Sequence, residues 1–187
     1  APLLPLIAGL KDRIDNENHN IYSILGMISH INDFPKDLEG KKVVVVGGGA
    51  VGLDVVEFFA DRNADISIVE MMDQIGRDLD PVSKNDTKTM MKKHNVHQLT
   101  KTALLEVKDS SFLVRGDGES YELPFEYGFV CLGMRAQGQL YQNLTEEFSS
   151  EDVEIMNIGD SQRARRIIDG TQEGRNILTI LEQKGYL

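Results

Sequence analysis

The stretch KKVVVVGGGAVGLDVVEFFADRNADISIVE, Lys41–Glu70, contains glycines and an acid at the spacing of a nucleotide-binding turn. Gly47, Gly49 and Gly52 fit the pattern G-x-G-x-x-G, in which the first glycine permits a tight turn. The second lets the backbone approach a pyrophosphate, and the third lets helix and strand pack closely. The pattern predicts a dinucleotide site formed by Gly47, Gly48, Gly49, Ala50, Val51 and Gly52, with Glu70 and Met71 at the next strand end.

The acid indicates which dinucleotide this site would hold. Glu70 follows the glycines by about 20 residues, where a carboxylate accepts hydrogen bonds from the adenosine ribose hydroxyls. It would repel a 2′-phosphate, so NAD(H) is favoured over NADP(H). Arg77 could meet such a phosphate, but the position of Glu70 at a strand end is better defined. FAD proteins share the glycine pattern, so Lys41–Glu70 alone leaves NAD and FAD both open.

The elements that must position this turn follow from apolar spacing. Val43–Val46 lacks polar alternation, which predicts a fully buried strand. Apolar residues at helical spacing predict a helix over Val51–Asp61, and Ile66–Val69 reads as a second strand. Asp80 and Pro81 form a helix start, a capping acid before a proline, and this helix is expected to reach Lys93. With this context, the interpretation that the glycine turn is only a tight connection becomes the weaker one.

The remaining chain divides into short elements. Ahead of the valine run we expect an extended Ala1–Leu10, a loop over Lys11–Asn20 and a short helix within Ile21–Phe34. After the glycine domain we expect an antiparallel meander of Ala103–Val107, Phe112–Arg115 and Ser120–Leu123, strands at Phe129–Leu132 and Val153–Ile158, and a mostly helical Arg163–Gln183.

Composition excludes several classes of partner. The 187 residues carry a net charge of −10, which disfavours nucleic acid and acidic membrane surfaces as partners. No apolar stretch approaches the roughly 20 residues of a spanning helix. The single Cys131 excludes an intrachain disulfide and fits a reducing cytoplasm. The sequence leaves open whether the chain forms a homo-oligomer.

Other reactive residue types are better explained by structure than by chemistry. His94 and His97 form H-x-x-H without a nearby carboxylate or cysteine, which favours a polar helix end over a metal site. Cys131 lies in an apolar strand, so we expect a buried structural thiol. The methionine pairs are interpreted as core residues: Met71, Met72, Met90 and Met91. The basic cluster could meet a flavin phosphate or form a solvated helix start: Arg163, Arg165 and Arg166.

Two later motifs carry a resemblance to a known family. The first is Met156–Gly174, MNIGDSQRARRIIDGTQEG, in which a predicted strand ends in Gly-Asp and a helix follows. The second is Val130–Ala136, VCLGMRA. Together with the glycine turn and the meander, the chain resembles the pyridine nucleotide–disulfide oxidoreductase superfamily over about residues 36–187. Within it, the chain is most similar to the NADH:flavin oxidoreductase, enoate reductase and 2,4-dienoyl-CoA reductase group.

The resemblance implies an α/β fold: a Rossmann-like parallel sheet with helices on both faces, a β-meander, and a C-terminal strand–helix flank of an FAD domain. In this family an NAD domain is inserted into an FAD domain, and no second glycine fingerprint precedes Lys41. We therefore expect a linker and short helix at 1–36, crossing over from a missing FAD half. The NAD(H) domain would occupy 37–144 and the C-terminal part of the FAD domain 145–187.

The resemblance also implies roles for individual residues. Gly133 would lie near the nicotinamide, and Gly159 and Asp160 would contact the flavin. Ala164 and Gly170 depart from the usual proline and alanine, which affects the flavin side. Asp54 replaces a glutamate in the first helix, and Cys131 an alanine. The paired redox cysteines of disulfide reductases are absent.

The expected function is an NADH-binding module that delivers hydride to FAD, which belongs to the intact protein. In the enoate reductase group, electrons continue through an iron–sulfur cluster and FMN to an activated double bond. Partners would then be the missing FAD-domain half and an FMN/iron–sulfur domain. The isolated chain is expected to be inactive. The alternative is a non-catalytic NAD-sensing domain.

Overall fold

The computed structural model describes residues 2–150 and 153–186, which form two compact units at 2–133 and 134–186. In the first unit the elements are α1 (Leu10–Arg13), β1 (Ile21–Tyr22), α2 (Ile24–Ser29), β2 (Lys42–Val46), α3 (Ala50–Ala60), β3 (Asp65–Val69), α4 (Pro81–Lys93), β4 (His97–Leu99), β5 (Thr102–Val107), β6 (Ser111–Gly116), β7 (Glu119–Pro124) and β8 (Tyr127–Val130). In the second they are α5 (Gln139–Glu147), a 3₁₀ turn (Gly159–Ser161), α6 (Ile167–Arg175) and α7 (Ile177–Gln183).

A parallel sheet forms the centre of the first unit, with strand order β1-β8-β2-β3-β4 among the described residues. The valine run lies in β2, between β8 and β3, and its side chains alternate between two cores. Val43 and Val45 join the core under the helices, whereas Val44 and Val46 join the core under the meander. Burial on both faces explains the continuous apolar run, and the predicted strand is confirmed.

Helices α2, α3 and α4 cover one face of this sheet. Helix α3 contributes Phe59, which is fully buried beside Phe129 of β8, with ring centroids 4.8 Å apart. Asp80 caps α4 by accepting hydrogen bonds from the N–H groups of Val82 and Ser83, at 2.9 and 3.1 Å. The predicted helix start is therefore confirmed, as is the end at Lys93.

The antiparallel meander β5-β6-β7 covers the opposite face, together with the short α1. Asp117 and Gly118 join β6 to β7 and both have positive φ, 51° and 85°, as a type I′ two-residue hairpin turn requires. The aromatic rings of Phe112 and Phe125 pack directly over Gly128 of β8. The predicted α/β class with a parallel sheet and an antiparallel meander is confirmed.

The segment before the valine run differs from the sequence-based expectation. The short helix expected within Ile21–Phe34 is present as α2, but it is preceded by an unexpected strand, because Ile21 and Tyr22 form β1 and pair with Gly128 and Phe129. The helix α2 begins only after Ser23, whose hydroxyl caps it. Leu25 and Ile28 of α2 are exposed, as is Ile31 beyond the end of the helix, whereas Ile24 packs against the core. The expected loop over Lys11–Asn20 begins inside α1, and β4 was not anticipated.

The second unit contains helices but lacks the strand expected over Val153–Ile158. A strand requires a neighbour for its backbone groups, and no strand within the described residues pairs with this segment. The expected helical tail is present as α6 and α7, joined at Asn176. The domain ranges 1–36, 37–144 and 145–187 stay predictions; the boundary at 144 falls inside α5, and residues 1, 151, 152 and 187 lie outside the described part.

None of the helices in the described ranges combines the length and apolar character that crossing a bilayer requires.

Candidate functional site

The glycine turn joins β2 to α3, and two of its glycines are required by the protein's own backbone. Gly47 has a φ of +110°, and a Cβ there would lie 2.2 Å from the carbonyl oxygen of Cys131. A Cβ at Gly52 would lie 1.8 Å from the carbonyl oxygen of Gly47. Both positions therefore exclude any larger residue. Gly47 is required by the conformation of the turn, and Gly52 by the close approach of α3 to that turn.

Gly49 is different, because nothing in its own surroundings requires glycine. Its backbone, with φ −80° and ψ −178°, is extended and allowed for any residue. A Cβ at this position would meet no atom within 4 Å. Gly49 is also the N-cap of α3, so the first N–H groups of the helix, from Ala50 and Val51, lack intrahelical acceptors. The turn therefore leaves open space beside unpaired donors, an arrangement suited to a phosphate.

Glu70 lies immediately after β3 and its carboxylate is fixed beside the glycine turn. One oxygen, Oε2, accepts a hydrogen bond of 2.7 Å from the N–H of Gly48. The other, Oε1, accepts a hydrogen bond of 2.8 Å from the N–H of Met72. Since an ionised carboxylate offers about four acceptor positions, roughly two remain for a ligand.

A cavity of about 620 Å³ opens at the turn, within the size range of small-molecule sites. It contacts Gly47, Gly49, Glu70 and Met71, as well as Gly133 after β8. Other walls come from Leu3, Pro5, Ile7, Asp78, Leu104 and Leu132. None of the lining residues in the described part of the chain is Lys or Arg, so a further negative phosphate would face Glu70 and Asp78 without a cation.

The structure thus brings most predicted cofactor residues of the first unit to one place. Gly133 has a φ of +99°, and its carbonyl oxygen accepts a hydrogen bond of 2.9 Å from the N–H of Leu3. Arg77, the alternative phosphate ligand, is exposed and does not line the cavity. The side of Gly49 is open, the turn is fixed and the cavity is large enough, so the residues present fit a dinucleotide.

The family model described as "Pyridine nucleotide-disulphide oxidoreductase" matches residues 3–157. The chain belongs to this family. The resemblance seen in the sequence is therefore confirmed at this level.

Relatives of the family show similarity over much of the chain. A metal reductase of Desulforamulus reducens is 26% identical, over 73% of this chain and 24% of that protein. An NADH oxidase of Thermoanaerobacter brockii is 25% identical, over 92% of this chain and 25% of that protein. The chain thus spans about a quarter of the length of these curated relatives.

Solved structures of a reductase and a dehydrogenase share the fold. A 2-naphthoyl-CoA reductase superposes with a TM-score of 0.73 at 20% identity, over 93% of this chain and 24% of that one. Histamine dehydrogenase from Rhizobium sp. 4-9 gives 0.72 at 13% identity, over 95% and 29%. At these identities the likeness concerns the fold alone.

The second motif of this family member lies in the unit 134–186. Gly159 has a φ of +65°, and its N–H donates a hydrogen bond of 2.6 Å to Glu173. That hydrogen bond, followed by the contact with Arg165, holds the pKa of Glu173 below its usual range. Asp160 accepts a hydrogen bond of 3.2 Å from the N–H of Arg165. The flavin contact of Gly159 and Asp160 stays a prediction.

The cysteine and the two histidines considered in the sequence analysis lie in surroundings that favour a structural role. Cys131 is buried, and desolvation, with a smaller effect from the charge of Asp54, raises the pKa of its thiol to about 12. His97 lies 3.3 Å from Asp65, and His94 ends α4. No group of three or more His, Cys, Asp or Glu side chains suited to a metal occurs within residues 2–150 and 153–186.

The predictions for the methionine pairs are confirmed at some positions and wrong at others, and two arginines of the basic cluster have partners within the protein. Met91 lies in the core, but the core assignment is wrong for Met71 and Met72, which are 68% and 40% exposed because the chain leaves the sheet after Glu70. In the basic cluster, Arg165 pairs with Glu173, and Arg166 is the N-cap of α6.

Sequence reasoning missed several residues of the site. Asp78 and Leu104 line the cavity, although neither belongs to the glycine motif that predicted the site. Gly76 is in hydrogen-bond contact with the glycine turn, with its N–H 2.7 Å from the carbonyl oxygen of Gly48. For Gly76, the only signal in the sequence was an isolated glycine six residues after Glu70.

Proposed function

We propose that this chain binds NADH at the glycine turn, in preference to NADPH, as the nicotinamide nucleotide module of a flavin-dependent oxidoreductase. The observation that carries the proposal is the open side of Gly49 beside the N-terminus of α3, with Glu70 fixed nearby. The pyrophosphate would bind at Gly49, Ala50 and Val51. The adenosine ribose would bind at Glu70.

The cavity lining supports the choice of NADH. The extra phosphate of NADPH would bring negative charge to a wall that carries two carboxylates, Glu70 and Asp78, among the described residues and no basic side chain. Like charges at short range in a partly enclosed site disfavour binding. Met71, which follows Glu70 and lines the cavity, offers an apolar surface for the adenine.

When bound, the nicotinamide supplies a hydride for the reduction of FAD. The chain's own residues would orient that ring: Gly133 and Leu132 form the cavity wall after β8, and Leu3 is tied to Gly133 by a backbone hydrogen bond. Gly159 and Asp160 would contact the flavin. The sequence contains one G-x-G-x-x-G pattern, so a second dinucleotide requires residues beyond these 187. We propose accordingly that the isolated chain binds NADH without catalysing turnover.

The final electron acceptor would be determined elsewhere in a longer protein. Relatives with similar modules are named for different substrates, among them metal, bilirubin and cinnamate reductases. A common module with diverse names fits a shared electron entry followed by separate acceptor domains. We propose an enoate or enoyl-CoA reductase centre as the acceptor, reached through FMN and an iron–sulfur cluster.

A titration of the purified 187-residue chain with NADH and, in parallel, NADPH tests the proposal. We expect saturable NADH binding that is tighter than NADPH binding, from a colourless protein. In Glu70→Ala the preference should shrink, whereas Glu119→Ala, which removes the same charge from the exposed β7, should retain it. A yellow protein that binds no nicotinamide nucleotide would mean that the turn holds the flavin instead.

The same preparation distinguishes the alternative of a nucleotide sensor. After addition of FAD, absorbance near the flavin band reports whether NADH reduces it, with artificial acceptors used to detect turnover. Turnover by the 187 residues alone would contradict the proposed dependence on further residues. In the longer protein, NADH binding without any flavin reduction would support the sensor.

A further inference from the structure

Gly48, the middle residue of the glycine turn, has both of its backbone polar groups bound by the segment that follows β3. Its N–H donates to Oε2 of Glu70 at 2.7 Å. Its carbonyl oxygen accepts a hydrogen bond of 2.7 Å from the N–H of Gly76. The segment 70–76 therefore holds the turn from two sides at one residue.

The far end of this segment, at Gly76, is also held by packing and hydrogen bonding. Gly76 is buried, with a φ of +65°, and a Cβ there would lie 3.1 Å from Leu79 and 3.5 Å from Leu53 of α3. The N–H of Leu79 donates a hydrogen bond of 3.1 Å to the carbonyl oxygen of Gly76. Ile75 packs beside Gly48 itself, 3.1 Å from the position of a Cβ. Gly76 is thus kept in place by packing against α3, which starts at the turn.

We propose that Glu70 and Gly76 are positioning residues that hold the glycine turn in its binding conformation before any nucleotide arrives. This inference rests on the proposed function for what the turn binds. Glu70 then has two roles: its carboxylate oxygens hold the backbone at Gly48 and Met72, and the residue also lines the cavity. A turn that is already ordered loses less conformational freedom on binding, which strengthens affinity without a new ligand contact.

The role differs from ribose recognition in a way that can be measured without a ligand. If Glu70 only contacted the ribose, its removal would leave the free protein unchanged. If it positions the turn, its removal loosens Gly48, and Gly76 with it, in the absence of nucleotide.

Amide hydrogen exchange followed by NMR on the nucleotide-free 187-residue chain provides the test. In Glu70→Ala we expect the Gly48 and Gly76 amides to exchange about tenfold faster or more, since hydrogen bonds to charged groups contribute at least that much protection. The Val45 amide on β2 serves as the internal reference for global unfolding. Glu70→Gln retains one acceptor oxygen and should restore part of the protection of Gly48.

Two matched controls separate positioning from general destabilisation. Glu119→Ala removes the same charge from β7 and should leave both amides unchanged. Gly76→Ala strains a positive φ and should loosen Gly48, whereas Gly118→Ala strains a similar φ of +85° in the β6–β7 turn and should not.

The outcomes decide the inference. Exchange at Gly48 and Gly76 that stays at the wild-type rate in Glu70→Ala, or that rises only in step with Val45, would overturn it. An NADH titration of the wild-type chain is read separately: absence of binding refutes the proposed function, and the exchange ratio still decides whether Glu70 positions the turn.

Discussion

Replacement of Gly49 by alanine should reduce NADH affinity while leaving the free protein folded. The added methyl group would enter space that no atom of the protein occupies within 4 Å. The backbone there is extended and compatible with alanine. Alanine is a poor N-cap residue, which costs about 1 kcal/mol or less, and loss of glycine's freedom in the unfolded chain returns about 0.4–1 kcal/mol. We therefore expect the free energy of unfolding to stay within about 1 kcal/mol of wild type.

The effect on binding should be much larger, because the methyl group would stand where the pyrophosphate approaches the first N–H groups of α3. Displacement of the phosphate weakens at least one hydrogen bond to a charged group, which contributes about 1.5–3 kcal/mol. At about 1.4 kcal/mol for each factor of ten, NADH should bind roughly ten- to a hundredfold more weakly. Titration measures the affinity, and urea denaturation measures the stability of the same samples.

Gly52→Ala is the matched control, because it adds the same methyl group three residues away, at a position where the fold itself requires glycine. Its Cβ would lie 1.8 Å from a backbone oxygen, so α3 has to move and stability should fall by about 3 kcal/mol. The two variants thus separate the ligand's requirement for glycine from the fold's requirement. If Gly49→Ala bound NADH within about twofold of wild type, an effect well below that of one lost hydrogen bond, the pyrophosphate would not lie at this turn.

Three further predictions concern the protein around the site. The pKa of Cys131 is raised from 9.0 to about 12, so at pH 8 its thiolate fraction should be about a thousandfold smaller than that of a cysteine with the ordinary pKa. We expect the thiol to resist alkylation until the chain is unfolded, and rapid modification of the native protein would contradict this. Gly128→Ala should lower stability by about 1–3 kcal/mol, measured by denaturation, because its Cβ would lie 2.7 Å from Phe112 and 2.8 Å from Phe125. The hydroxyl of Ser83, followed by the backbone N–H groups at the start of α4, lowers the pKa of Asp80 by hydrogen bonding to its carboxylate. The capping contribution of Asp80 is therefore present above the carboxyl's ordinary pKa and is lost as pH falls through the lowered value. The Tm difference between wild type and Asp80→Ala should therefore narrow on acidification below about pH 4, and a constant difference would refute that assignment.

Elements whose signals are local were predictable from the sequence. The valine run of β2 and the Asp80–Pro81 start of α4 are specified by neighbouring residues, and both lie where expected. Elements that depend on a distant partner were not. Ile21 and Tyr22 form a strand only because β8 offers its edge, and Val153–Ile158 is not a strand because no described strand pairs with it. Periodicity describes the chain itself, whereas pairing is a property of two segments.

The same distinction applies to the site. Gly47, Gly52 and Glu70 follow from a fixed spacing between strand, turn and helix, and the structure brings them together at the cavity or beside it. The contact of Gly76 with Gly48 depends on how the chain after Glu70 folds back, which no spacing rule specifies. The exposure of Met71 and Met72 has the same cause, since a methionine's apolar character does not show whether its strand has ended.

The two glycine motifs of this chain differ in how well they fit the cofactors proposed for them. At the first, a Cβ at Gly49 would meet no atom within 4 Å, so the space beside it is open to the proposed nucleotide. At the second, the N–H of Gly159 is bound by Glu173, and Asp160 accepts from the N–H of Arg165. A flavin there would have to use the remaining oxygen of Asp160 or displace these contacts. Nicotinamide nucleotide binding is therefore the property that the isolated chain should retain, and flavin binding is the property that should depend on residues beyond it.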